Sequence, residues 1–235
     1  MTHRALRLTP TDNQTFMLVG SGDEGNLTRR LARSREAEQQ GDIERACNER
    51  FLAFQAIYAA LPDDEAVELD YSHPNTQAAM EIIHDSAIDN LLAGDAEMAA
   101  AQAELLLDCD AEDHLETTPL LALCYVALGD ADCLTEVMID IDDKSPLKAL
   151  LQAWLSFHES GAIDSATADR LRHHRAFADE LLAAQHPTDE AYLHDISSER
   201  PSSKAQAREL WLRCEPILSA QPDFADALRK AVAGK

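Results

Sequence analysis

The chain has 235 residues, with 20 Lys and Arg against 43 Asp and Glu, a net charge of −23, and only 5% aromatic residues. That length can bury a substantial core. The charge argues against nucleic acid and anionic membrane surfaces as partners, because both are held through cations.

The acidity is concentrated. From Phe51 to Asp143 there is no Lys or Arg, while 22 Asp and Glu fall there, so this stretch holds 22 of the 23 net negative charges. No run of about 18 apolar residues offers a membrane span, and the start, Met1 to Arg7, lacks the apolar core of a signal peptide. Five cysteines (47, 109, 124, 133 and 214) form no close pair. They read as reduced thiols, and the expected location is the cytoplasm.

Residues 1–26 carry turn formers, among them Thr11-Asp12-Asn13 and Gly20-Ser21-Gly22-Asp23-Glu24-Gly25, and no helical period. A flexible or extended arm is expected there, with Leu18-Val19 as an isolated apolar pair. Helical spacing starts near Leu27. The dipeptides Gly41-Asp42, Gly94-Asp95 and Gly129-Asp130, with Gly161 as a looser fourth, then punctuate Ala- and Leu-rich stretches. Gly can close one helix in a left-handed conformation and Asp can cap the next, so each dipeptide predicts a tight helical hairpin.

A single helical-repeat domain over 27–235 is expected. Its hairpins fall at about 28–61, 75–107, 116–141 and 146–184, with capping helices over 202–233. Ser145-Pro146 and Ser202 or Ser203 are helix starts, and Pro216 should kink or end the penultimate helix early. The fold class is all-α, an α-α superhelix of antiparallel hairpins.

The third hairpin resembles a tetratricopeptide repeat. Leu121, Ala122, Tyr125, Gly129 and Pro146 stand at matching spacing, and Leu134, Met138 and Ile141 take second-helix packing positions. Thr118 stands where a large aromatic is usual. Ala87, Gly94, Ala99 and Leu106 match in the second hairpin, with Asn90 replacing an aromatic. Phe157, Gly161 and Ala166 match in the fourth, and Gly41, Ala46 and Ala53 in the first. The resemblance spans about 27–184. It implies a right-handed superhelix whose concave groove holds peptides or protein segments. The basic clamp that some members use for a carboxylate-ended peptide has no counterpart in the middle hairpins.

Glu81, Asp85 and Asp89 fall at i, i+4 and i+8 on one helix face, where like charges repel. With Asp108, Asp110 and Glu116, and near Asp63-Asp64-Glu65 and Asp140 to Asp143, they form the candidate partner-binding surface. The bland alternative is a solvated acidic surface suited to high salt. The expected partner is a protein or peptide, and a basic one suits the charge. A second copy of the chain is the alternative, with Arg29, Arg30, Arg33 and Arg35 facing a neighbour's acidic centre.

The expected function is a non-catalytic adaptor or chaperone-like binder of a polypeptide, without cofactor. One alternative is a self-assembling structural repeat protein. Another is a metal-dependent enzyme centred on His114, close to Asp108, Cys109, Asp110, Asp113 and Glu116. Cys109 with His114 could also form a nucleophile and base. His158, His173, His174, His186 and His194 make the later chain His-rich. Trp154 and Trp211 read as packing residues.

Overall fold

A computed structural model describes residues 5–11, 15–62 and 67–234. Asp12 and Asn13, and the acidic run at residues 63–65, lie outside the described residues. The chain divides into two compact units, 1–124 and 125–235. The expected division into an arm over 1–26 and one domain over 27–235 does not coincide with this boundary.

Among the described residues the protein is mostly helical. The exception to the all-α expectation is one β-hairpin, β1 (Leu6–Pro10) and β2 (Phe16–Gly20), inside the segment expected to be an arm. The strands are antiparallel, with Leu6 opposite Gly20 and Leu8 opposite Leu18. Leu6 and Leu18 are fully buried.

The hairpin is held from a distance by the start of α3 (Pro74–Leu92). Leu18 N donates to Thr76 Oγ1 at 2.9 Å. Asn75 Nδ2 donates to the Leu18 and Gly25 carbonyls at 3.0 and 3.1 Å, and Asn75 Oδ1 accepts from Leu27 N at 2.8 Å. On the other side, Phe16 pairs with Leu69 in an isolated parallel bridge. The loop that returns the chain to the first helix crosses itself closely: a Cβ on Gly20 would lie 1.7 Å from the Gly25 carbonyl oxygen. Only glycine fits there.

The rest of the first unit is α1 (Leu27–Gln39), α2 (Ile43–Tyr58), α3 and α4 (Ala96–Cys109), followed by α5 (Thr117–Leu128), which spans the boundary between the units. α1 packs on α2 and α3, α2 on α3, and α3 on α4. Leu27, Ile57, Met80, Ile82, Ile83 and Leu106 form the core together with Leu6 and Leu18.

The hairpin turns follow the glycine–aspartate logic. Gly41, Gly94, Gly129 and Gly161 all sit at positive φ, between 74° and 86°. The Asp42, Asp95 and Asp130 carboxylates accept the backbone N–H of Arg45, Met98 and Cys133, satisfying donors that a helix start leaves free. At the fourth turn the cap is Asp164, which accepts from Ala166 N and Thr167 N.

The second unit continues with α6 (Ala131–Val137), a 3-10 turn (Met138–Asp140), α7 (Pro146–Ser160), α8 (Ser165–His173), α9 (Arg175–Leu182), α10 (Glu190–Ile196), α11 (Ser203–Ala220) and α12 (Pro222–Ala233). Two expectations are corrected. The helix expected over 164–184 is broken at His174, whose ψ of 64° is not helical. Pro216 does not end α11, which runs on to Ala220. Trp211, Cys214, Ile217 and Leu218 are all buried along α11, and that packing outweighs one missing N–H.

Trp154 and Trp211 are buried, as expected of packing residues. Trp154 Nε1 donates to Gln221 Oε1 at 2.8 Å, and Gln221 Nε2 donates to the Val126 carbonyl at 2.9 Å. This ties α7 and the end of α5 to the start of α12. No described helix is long and apolar enough to cross a membrane.

Candidate functional site

The acidic stripe of α3 faces arginines of its own chain. Arg35 of α1 lies 2.7 Å from Glu81 and 3.8 Å from Asp85. Arg50 of α2 grips Asp89 with two hydrogen bonds, Nε to Oδ2 at 2.6 Å and Nη2 to Oδ1 at 2.8 Å. Glu38 approaches the same guanidinium at 3.5 Å. Such a forked, charge-assisted pair is the strong form of the arginine–carboxylate contact. Arg50 is 3% exposed and Asp89 20%. Burial opposes the charge on Arg50, but the Asp89 contacts outweigh it and raise the pKa.

Glu81, Asp85 and Asp89 are therefore engaged inside the first unit. The repulsion expected from their spacing is offset by cations from α1 and α2. Arg35, assigned by charge to a neighbouring subunit, serves the same chain. Arg50, the last cation before the acidic stretch, is the residue that sequence reasoning missed. Its position as the final positive charge before 93 residues without one was the available signal.

The other three candidates lie at the corner between α4 and α5. Asp108 and Glu116 are exposed, whereas Asp110 is buried. The Asp110 carboxylate accepts from His114 N at 2.8 Å and pairs with His114 Nδ1 at 2.7 Å. Glu112 lies 3.2 Å from His114 Nε2, and the ring stacks on Tyr71 with centroids 4.2 Å apart and planes 7° from parallel. The hydrogen bond that the His114 ring donates to Asp110 raises the His114 pKa, against a smaller opposing effect of desolvation. Asp113 accepts from Thr117 N and Thr118 N at the start of α5. Asp113 and Glu116 both hold left-handed φ, at 49° and 53°. This corner is a folded, hydrogen-bonded turn in which both ring nitrogens and one face of His114 are occupied.

Cys109 is buried, and burial pushes its thiol up to about 11. It is not a thiolate at neutral pH, and a thiol is a poor nucleophile. Among the described residues no group of three His, Cys, Asp or Glu side chains is arranged to hold a metal ion. The described cysteines are all free thiols.

Large apolar side chains stand in solvent on α2: Ile43 is 54% exposed, Phe51 48%, Leu52 46% and Tyr58 57%. At about 100° per residue, Ile43, Phe51 and Tyr58 fall within about 80° of one another around the helix.

The second unit holds a buried charge cluster. Arg208 donates to Glu180 at 2.6 and 3.2 Å and to the Pro187 carbonyl at 2.7 Å. His186 Nδ1 lies 2.7 Å from Glu180 Oε1, and its ring stacks on Trp211. Burial opposes ionisation of Glu180, but the hydrogen bonds from Arg208 and His186 prevail and hold its carboxyl below the ordinary value. Of the remaining histidines, His158 stacks on Trp154 and His173 bonds the Asp169 carbonyl.

Comparison with family models, curated proteins and solved structures finds no match for this chain.

Proposed function

We propose that this protein is a non-catalytic protein–protein interaction module, a tetratricopeptide-repeat-like set of helical hairpins acting as an adaptor or chaperone-like binder of a basic, amphipathic polypeptide segment. The observation that carries this reading is the apolar outer face of α2, with Ile43, Phe51 and Tyr58 about half exposed. Large apolar residues exposed along one side of a helix are the raw material of an interaction surface. The net charge of −23 favours a cationic partner and speeds its encounter. Asp108 and Glu116 remain available for electrostatic contact. Glu81, Asp85 and Asp89 act through the fold that they help to hold.

The test is fluorescence anisotropy of a labelled amphipathic peptide of Leu and Lys, titrated with the full chain. Binding should weaken with salt, and Phe51→Ser should weaken it roughly tenfold, as for a buried aromatic anchor. Asp108→Asn with Glu116→Gln should flatten the salt dependence. Equal binding of a Leu and Glu peptide, or indifference to Phe51→Ser, would remove the reading.

The same α2 face supports a second reading, self-assembly. Light scattering across concentration decides it: a salt-insensitive dimer that Phe51→Ser converts to monomer would replace the adaptor.

A further inference from the structure

Beside the break at His174 lies a half-open cleft of about 470 Å³, lined wholly by residues of the second unit. That volume is in the range of small-molecule sites, roughly 300–1,000 Å³. Its lining combines His173, His174 and Arg175 with polar Ser203 and Gln206 and with apolar Pro146 and Ala176, which are partly exposed. No Asp or Glu lines it, in a chain that has 43 of them.

Arg175 makes no ion pair among the described residues. Its neighbour Arg172 is held by Asp169 at 3.2 Å, Arg208 by Glu180 at 2.6 Å and Arg213 by Glu209 at 3.2 Å. His173 engages the Asp169 carbonyl through Nδ1 at 2.7 Å, which leaves Nε2 unengaged. Three lining residues are also the first residues of helices: Pro146 of α7, Arg175 of α9 and Ser203 of α11. Helix starts present partial positive charge, and α9 begins without a side-chain cap.

We propose that this cleft binds a small phosphomonoester, with the phosphate at Arg175 and the corner histidines and an apolar group against Pro146 and Ala176. A tetrahedral dianion can accept from the guanidinium fork and several other donors at once, which a single carboxylate does less well. The cleft is larger than an inorganic phosphate, which leaves room for an apolar group beside Pro146 and Ala176. The site uses none of the residues assigned to polypeptide binding and stands or falls separately.

The test is isothermal titration calorimetry of the full chain at low salt with three probes: phenyl phosphate, inorganic phosphate and benzoate. Phenyl phosphate should bind saturably, and both other probes about tenfold or more weakly. Arg175→Gln should weaken phenyl phosphate roughly tenfold or more, the scale of a lost charge-assisted contact. Arg172→Gln removes the same charge outside the lining and should leave affinity unchanged. Absence of saturable binding, equal loss in the two variants, or benzoate binding as tightly as phenyl phosphate would each overturn the proposal. Arg175 is exposed, and circular dichroism of its variant should match that of the parent.

Discussion

Removing the Asp89 carboxylate would leave the almost fully enclosed Arg50 guanidinium with only the half-exposed Glu38, 3.5 Å away, as an ion-pair partner. A buried charge that loses its forked partner costs far more than the pair gains. Asp89→Ala should therefore destabilise the protein by about 3 kcal/mol, read as a fall in the urea midpoint. Arg50→Met combined with Asp89→Leu should recover much of the loss, because neither charge is then buried. A binding assay on Asp89 variants would confuse this folding effect with a lost contact. The sequence displays the three carboxylates in one run, while their partners Arg35 and Arg50 lie on two other helices. Pairing across helices is a tertiary fact that no local spacing encodes.

Hairpin turns were legible and the β-hairpin was not, and the difference is one of range. At Gly94 everything needed is local: φ is +86° and no atom lies within 4 Å of where a Cβ would stand. Gly94→Ala should cost only the left-handed conformation, about 1 kcal/mol, seen as a small drop in melting temperature. At Gly20 the obstacle is the Gly25 carbonyl five residues on, so Gly20→Ala should lower the melting temperature far more. The strands carry only five residues each and depend on Asn75 and Thr76, more than 50 residues away from Leu18. Two short runs such as Leu6–Pro10 and Phe16–Gly20 carry too little alternation to announce themselves, and tertiary hydrogen bonds complete them. The break at His174 was hidden for a related reason: the helical pattern of residues 164–184 continues through it, and only the backbone reveals the corner.

Stability of the whole chain should depend on pH from both directions. The folded His114 pKa lies above the ordinary 6.5, so its contribution is complete below pH 6.5 and is lost as pH rises through the folded value. The folded Glu180 pKa lies below the ordinary 4.5, so its contribution is complete above pH 4.5 and is lost as pH falls through the folded value. Urea midpoints measured across pH should be highest between these limits, and His114→Gln should flatten the alkaline side. The concentration of 22 acidic residues between Phe51 and Asp143 adds long-range repulsion. Moderate salt, which screens it, should raise the melting temperature.

The two tryptophans of the chain, Trp154 and Trp211, both lie in the second unit, and each is stacked on a histidine, His158 and His186 respectively. Intrinsic indole emission is thus a natural optical label for residues 125–235 and is blind to residues 1–124. Loss of the stacked imidazoles on unfolding should change its intensity without any engineered probe. Followed beside far-ultraviolet ellipticity, which sums over both units, the emission turns one denaturation experiment into a direct readout of whether the two halves of this protein melt as one body.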